Sequence, residues 1–413
     1  GVGLLISILK NAGHKVFFED HYLAPTRILE TNFLIDNQIQ FIGIYANTIC
    51  FQSTLAMLRD IQDLRERNVW HGKVILGGPH TSIENHGIPD FVDHIVIGEG
   101  EISLLEIVDG SETGRIVHGK PLQDMDNLPH PAWEEFIHRP YQWSDHWLNK
   151  SPLYTFNTSR GCPFDCTFCS VKSIWGKTYR YMSAERVIND VEYMQKYYGM
   201  RVAYFREDHF TLNKNRIIDF CERILSKGIE LDWMCETRVD NLDDQSYLDL
   251  MAKAGCKLFY IGVESGSQRM LDFYQKGETV EQFTKAFDLS HRAGIKTYAS
   301  FIVGAPTETE EDVKQTEELI SRIKPFAVGR NVYVGLPGSD LYDYVRENDL
   351  YEHEDDNHVL YMKGHDKLID RYHGGNPYLK IPSSSTNRKI LFFEIKQRAN
   401  GFYQTIKNKH LAG

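Results

Sequence analysis

The sequence predicts an α/β protein built in two parts, with a helical tail. A parallel, doubly wound sheet is expected over residues 1–120, and most of a (β/α)6 barrel over residues 153–345. Two observations predict this. Short apolar strands alternate with helix-like stretches through the first part, which is the pattern of a parallel sheet covered by helices. After a proline-spaced stretch the alternation resumes in six longer strand–helix repeats, enough for most of a barrel.

The elements follow in order. Leu4–Asn11 reads as a helix and Lys15–Asp20 (KVFFED) as a short buried strand. Phe41–Ala46 is the next strand. Ser53–Asn68 is an amphipathic helix, with Leu55, Leu58, Ile61 and Leu64 at helical spacing. Lys73–Gly78 and His94–Glu101 are strands that run into glycine loops. Ligands bind parallel sheets at such carboxyl ends. Pro121–Trp133 has weak periodicity, and residues 121–152 are expected to be an interdomain linker. Barrel strands are expected at 153–159, 202–208, 233–239, 258–265, 296–304 and 326–335. Helices are expected at Ser183–Tyr198, Asn215–Lys227, Asp244–Ala254, Val280–Ala293 and Thr309–Ile323. From about Tyr351 the chain turns polar and less regular. Residues 346–413 read as a C-terminal extension ending in a helix near 389–408.

Composition narrows the function classes. A net charge of −11 leaves no basic excess to displace counterions, so a nucleic-acid partner is not expected. No apolar run reaches the about 18 residues of a membrane span, and no signal peptide is visible. The chain opens on Gly1, not Met, directly in a helical pattern, so residues preceding it are expected. Seven cysteines, three of them clustered, read as reduced, cytoplasmic cysteine put to chemical use. Cys50, Cys221, Cys235 and Cys256 read as plain buried thiols.

The cluster is Cys162, Cys166 and Cys169, in TSRGCPFDCTFCSV. Three thiolates with such short gaps can hold zinc, or three irons of a cubane. A structural zinc site closes with a fourth ligand at short spacing, and His209 and Cys221 are distant in sequence. A [4Fe–4S] cluster held by three cysteines keeps one iron open for a ligand.

Cys-x3-Cys-x2-Cys just after the first barrel strand, with Phe168 before the last cysteine, resembles the radical SAM superfamily. That resemblance implies an open iron chelating the amino and carboxylate groups of S-adenosylmethionine. It further implies one-electron cleavage to a 5′-deoxyadenosyl radical that abstracts hydrogen. Other residues carry the likeness further. Glu207 and Asp208, ending the second barrel strand, resemble the acidic pair of the cobalamin-dependent branch and are implied at the methionine amino end; a helix cap is the plainer reading. Glu264 and Ser265 in GVESGSQ are implied at the ribose hydroxyls, with a structural salt bridge as the alternative for Glu264. Gly304 in FIVGAPTET is implied beside the adenine. Arg238 is a candidate for the methionine carboxylate, because a guanidinium fork suits a carboxylate.

The N-terminal part resembles the Rossmann-like cobalamin-binding (B12-binding) domain fused ahead of such barrels. Its loops supply Gly77, Gly78, Gly98 and Glu99 beside the corrin, and Thr48, His80 and Thr81 for its amide side chains or nucleotide tail. Two departures from the pattern stand out. Asp-x-His-x-x-Gly, by which many cobalamin proteins offer histidine to cobalt, is absent. The first strand of the domain would lie before Gly1, which bears on whether cobalamin binds.

The resemblance implies an enzyme with three cofactors, a [4Fe–4S] cluster, S-adenosylmethionine and cobalamin, that methylates an unactivated carbon of a small molecule. Its electron donor would be a reductase such as flavodoxin or ferredoxin. The alternatives are an oxidative cyclase or rearrangement enzyme with the same cofactors, and a radical SAM enzyme whose first domain has lost cobalamin. A tRNA methylthiotransferase would need three more cysteines in the first domain, where only Cys50 occurs. An iron–sulfur electron carrier would not cleave S-adenosylmethionine.

Overall fold

The computed structural model describes residues 1–21, 23, 31–84, 87–139, 141 and 147–373. Gly1–Met362 forms one compact unit and Lys363–Gly413 a second, of which the helix His365–His373 is described. The helix expected near 389–408 lies outside the described residues.

Four strands form the first sheet: β1 (Phe41–Tyr45), β2 (Lys73–Gly77), β3 (His94–Ile97) and β4 (Ile116–His118). They pair in parallel in sequence order. Alternation along β2 sends Val74 and Leu76 to one face and Ile75 to the other. Val74 and Leu76 pack with Leu58, Ile61 and Leu64 of the helix Phe51–Glu66. Ile75 packs with Val96, Val117 and Ile107 of the helix Glu101–Val108. Helices therefore cover both faces, as the doubly wound reading expects.

The barrel begins with β5 (Leu153–Phe156), followed by a two-residue ribbon, β6 (Ser159–Arg160) against β7 (Arg180–Tyr181). Its other strands are β8 (Val202–Phe205), β9 (Asp232–Thr237), β10 (Cys256–Glu264), β11 (Lys296–Val303) and β12 (Ala327–Val332). The six barrel strands pair in parallel, in the order β12-β11-β10-β9-β8-β5. The barrel's own large helices pack on one face of this sheet. Phe205, Trp233, Phe259 and Phe301 from the strands meet Phe220, Phe283 and Phe287 from the helices in one core. The expected partial (β/α)6 barrel is borne out.

Two expectations about the elements need correction. Lys15–Asp20 carries no strand. Its aromatics are covered side-on instead: Phe17 stands edge-on to Phe33 (5.1 Å), and Phe18 packs on Phe136 (4.7 Å) beneath the Arg139 guanidinium. Residues 121–133, in the stretch expected as a linker, are packed against the protein. Met125, Leu128 and Ala132 are buried, and Arg186 Nη1 donates to the Asp126 carbonyl at 2.6 Å. The stretch after Tyr351 is regular where expected to be irregular. β13 (Val334–Gly335), β14 (Tyr351–Glu354) and β15 (Leu360–Met362) form an antiparallel sheet, because the apolar run Val359–Met362 is buried. Its hairpin turn reaches the first sheet: Gln52 N donates to Asn357 Oδ1 at 3.1 Å.

A buried ionic hub joins the two sheets' loops. Arg160, on β6, donates from Nη1 to Glu99 Oε2 (2.6 Å) and from Nη2 to Glu101. Arg180, its partner on β7, donates to the other Glu99 oxygen and to the Leu122 carbonyl (2.8 Å). All four side chains are buried. Burial opposes the Glu99 charge, yet the two guanidiniums hold its pKa below the ordinary glutamate value. Glu99→Ala leaves two buried guanidiniums with the Glu101 carboxylate alone to offset them, and is expected to cost about 3–5 kcal/mol, read by urea or thermal unfolding. Because the folded pKa is depressed, this stability is present above the ordinary value and is lost as pH falls through the lower folded one. The gap between wild type and Glu99→Ala should therefore narrow in acid and stay constant from pH 6 to 8.

Candidate active site

The loop Gly161–Ser170 carries the three cysteines at the carboxyl end of the barrel strands. Two backbone bonds pin it at Thr167. Thr167 N donates to the Tyr274 carbonyl (2.8 Å), and Leu341 N donates to the Thr167 carbonyl (2.8 Å). Gly161 has φ +83°, and a Cβ there would strike the Thr178 carbonyl oxygen, so the turn into Cys162 requires glycine. Cys166 is buried and Cys162 and Cys169 are half-buried; all three are free thiols. Of the four cysteines expected to be plain buried thiols, Cys221, Cys235 and Cys256 are buried, whereas Cys50 is exposed in the short turn before the helix Phe51–Glu66. Burial pushes all three thiol pKa values up, Cys169 to about 11. Binding metal here must therefore release protons. Among the described residues no three His, Cys, Asp or Glu side chains converge on a single ion. A cubane does not require that convergence, because each thiolate takes its own iron, so the three cysteines on one pinned loop fit such a cluster.

Arg238 is aimed at this loop. Its Nη1 donates to Cys166 Sγ at 3.4 Å, and its guanidinium lies 3.7 Å from the centre of the Phe164 ring. Asp240 Oδ2 accepts from Nε (2.6 Å) and the Lys276 carbonyl accepts from Nη2 (2.6 Å). These contacts turn Arg238 toward the cluster side of the site, where the sequence suggested the methionine carboxylate. Behind it, fully buried Lys276 sits between Glu264 Oε1 (3.3 Å) and Glu278 Oε2 (3.4 Å). Burial opposes the Lys276 charge, but the two carboxylates outweigh it and raise its pKa.

The acidic pair divides. Glu207 is buried and accepts from Thr158 N (3.1 Å), Thr158 Oγ1 (2.7 Å) and Ser159 Oγ. It braces the backbone leading into the cysteine loop. Asp208 is solvent-accessible yet crowded by neighbouring protein. Its carboxylate raises the pKa of both Cys162 and Cys169, so it faces them. Crowding, and then the charges of Glu207 and Glu236, push its own pKa up to about 6.

The other candidates spread around the rim. Glu264 ends β10 with φ +67°, in the left-handed region, and its carboxylate pairs with Lys276. Ser265 Oγ accepts from Ser267 N (3.1 Å) and meets Thr316 (3.4 Å), which makes it part of a local turn. Phe168 stands edge-on to Tyr274 at 5.5 Å. Gly304 N donates to Glu308 Oε2 at 2.6 Å, and burial raises the Glu308 pKa to about 7.

On the first sheet, His80 and Thr48 meet, Nδ1 to Oγ1 at 3.2 Å. The His80 ring lies 3.7 Å from that of Phe51, and its buried Nε2 has no hydrogen-bond partner among the described residues. Burial pulls its pKa down to about 4, so it is neutral. Gly78 has φ +118°, and a Cβ there would collide with the Ala46 carbonyl, so Gly77 and Gly78 bring bare backbone to the sheet edge. Thr81 Oγ1 is committed to the Val96 carbonyl (2.7 Å), and Gly98 N to Ser82 Oγ (2.8 Å). Glu99 belongs to the ionic hub. A glycine-lined edge with one orphaned buried nitrogen suits a large ligand with polar side arms, and Thr81 and Glu99 are already engaged elsewhere. Arg160, Arg180, Lys276, Glu278 and Asp240 escaped the sequence reading.

A model of the radical SAM superfamily matches residues 156–320. A protein of Pyrococcus horikoshii named as an uncharacterised methyltransferase is 31% identical over 334 residues, covering 75% of this chain and 70% of that one. The anaerobic magnesium-protoporphyrin IX monomethyl ester cyclase of Rubrivivax gelatinosus is 29% identical over 333 residues; the match covers 72% of this chain and 58% of that enzyme. The structure of OxsB, a cobalamin-dependent S-adenosylmethionine radical enzyme with aqua-cobalamin and S-adenosylmethionine bound, superposes with a TM-score of 0.73. That match covers 96% of this chain and 68% of OxsB at 19% identity, and it speaks for the fold. The chain is a radical SAM enzyme: it belongs to the radical SAM superfamily and has the fold of a cobalamin-dependent member.

Proposed function

We propose that this enzyme methylates an unactivated carbon of a small molecule, with a [4Fe–4S] cluster, S-adenosylmethionine and cobalamin as cofactors and a flavodoxin or ferredoxin as electron donor. One observation carries the reading: the ionic hub ties the glycine loops of the first sheet to the strand that enters the cysteine loop. Two cofactor loops held together suit a reaction that needs both cofactors at one substrate. When bound, the cluster and S-adenosylmethionine supply one-electron hydrogen abstraction, and cobalamin supplies the methyl group.

The chain's own residues then have distinct work. Cys162, Cys166 and Cys169 hold the cluster, and Arg238 donates a hydrogen bond to the Cys166 sulfur. Asp208 accepts from the methionine amino group, and Glu207 keeps Thr158 and Ser159 in place beneath it. Glu264, fixed by Lys276, is offered to the ribose, and Gly304 and Phe168 flank the adenine end. His80 Nε2 and the bare backbone at Gly77 and Gly78 receive the polar arms of cobalamin. A second reading, oxidative cyclisation, is supported by the cyclase relative. Product mass separates the two, since methylation adds one methylene unit.

Reconstitution without oxygen, with iron, sulfide and hydroxocobalamin, is expected to give about four iron and about one cobalt per chain after desalting. Replacing Cys162, Cys166 and Cys169 together by Ala should remove the iron and all S-adenosylmethionine cleavage; cleavage by that variant would end the proposal. Asp208→Asn should weaken S-adenosylmethionine binding about ten- to a hundredfold by equilibrium dialysis, the worth of a charge-assisted hydrogen bond. Arg238→Met should lower the cluster's midpoint potential by about 59 mV, one decade in a one-electron equilibrium, while Arg238→Lys restores part of it. An unchanged potential in both variants would show Arg238 to be purely structural.

A further inference from the structure

The barrel face that turns away from the helices carries its own chemistry below the cysteine loop. Every second side chain of each strand points there. The lowest layer is apolar and closed: Leu153, Val202, Met234 and Leu258 cluster together, with Trp147 and Leu148 packed against them. Above it stands an aromatic wall. Tyr204 stacks on Tyr260 with ring centres 5.2 Å apart, and Tyr260 packs against Tyr298 at 5.0 Å. Gly329, on the neighbouring strand, leaves room for the Tyr298 hydroxyl, which a Cβ would strike.

Arg206 sits at the top of this wall. It follows Phe205, which pairs in register with Cys235, and so stands beside Glu236. The contact with Glu236 is loose: Nε lies 3.7 Å from Oε1, which already accepts from Tyr204 Oη at 2.6 Å. The Arg206 side chain is 69% exposed although it belongs to the inward-facing set. Thr155 and Asn157, on the same face of the adjoining strand, are exposed too, while Tyr154 and Phe156 between and beside them are buried. This face therefore lines an open concavity. Asp208, whose charge acts on Cys162 and Cys169, lies two residues beyond Arg206, in the turn that follows β8.

We propose that this concavity binds an organic anion as substrate, with its carboxylate or phosphate on the Arg206 fork and a flat or apolar body against Tyr204, Tyr260 and Tyr298. A guanidinium presents paired donors that match either anion, and its nearest carboxylate is partly taken up by a tyrosine hydroxyl. Tyrosine faces suit a flat ring, and the closed apolar floor limits how deep it goes. The floor and wall place the body of the ligand below Arg206, and Asp208 places the radical end above it. The orientation rests on the reading of the cysteine loop given under Proposed function; the binding chemistry does not.

The test uses the full chain with its cluster reconstituted. Three probes of one shape are titrated by saturation-transfer NMR: 4-phenylbutanoate, 3-phenylpropylphosphonate and neutral 4-phenylbutanamide. At least one anion should bind about tenfold or more tighter than the amide, the worth of one charge-assisted contact. Whichever of the two it is tells carboxylate from phosphate recognition. Arg206→Met should erase the preference while the amide still binds, and Arg206→Lys should keep part of it. Arg330→Met serves as a control, since Arg330 pairs with Glu317 on the helix Glu310–Ile323. Anions no tighter than the amide, or a preference that survives Arg206→Met, would overturn the assignment. S-adenosylmethionine cleavage measured on the same wild-type sample fails or succeeds independently of the probe titration, so failure of the radical reading and failure of the anion site are told apart.

Discussion

Glu99 is the group on which the arrangement of the two loops depends. One buried carboxylate accepts from Arg160 and Arg180, on opposite strands of a two-residue ribbon, and from Leu122 N, in the segment that joins the sheets. Isolated, any of these charges would be expensive to bury; together they offset one another. Glu101 takes the second arm of Arg160, so two cations face two anions. The geometry allows little slack. Arg160 is two residues from Cys162, and Glu99 follows the glycine that ends β3. A shift of the first sheet against the barrel would have to break charge-assisted bonds in a place that water does not reach.

The same economy of placement recurs around the cysteines. Cys166 is the most buried of the three, and a cation, Arg238, is hydrogen-bonded to it. Arg238 is itself held by Asp240, and Lys276 is placed between Glu264 and Glu278. This chain of alternating charge runs from a cysteine to the residue at the strained end of β10. A change in the charge on Cys166 is therefore felt at Glu264 through buried groups in a low-dielectric setting. Glu207 serves the other side of the loop, where Thr158 links it to Arg216.

Much of this was legible in the sequence, and the limits have physical causes. Strand–helix alternation is a local property, so the barrel and the doubly wound sheet were both readable. KVFFED failed because an apolar run records burial and not pairing. Phe17 and Phe18 are covered by rings and a guanidinium, with no neighbouring strand. The run Val359–Met362 was overlooked because its charged surroundings masked four buried residues. The cysteine spacing announced itself, since three ligands lie within one short loop. Arg160 stood in that same loop, but nothing local marks a residue whose partners lie some sixty positions away. Lys276 and Glu278 likewise acquire meaning only when the turn after β10 folds back over Cys166.

The acidic pair shows how far residue type falls short of role. Glu207 and Asp208 are adjacent, share a charge and lie in the turn just after β8. The turn buries one and exposes the other. Glu207 turns inward to the hydroxyls of Thr158 and Ser159 and becomes part of the scaffold. Asp208 keeps access to solvent, and crowding together with the charges of Glu207 and Glu236 raises its pKa. A solvent-accessible carboxylate with a raised pKa is the kind of group that functional sites use. Arg206, two residues earlier, is likewise exposed, with only a loose contact to Glu236. The side chains that the fold leaves open thus stand at the carboxyl end of β8, near the loop that the rest of the fold holds still.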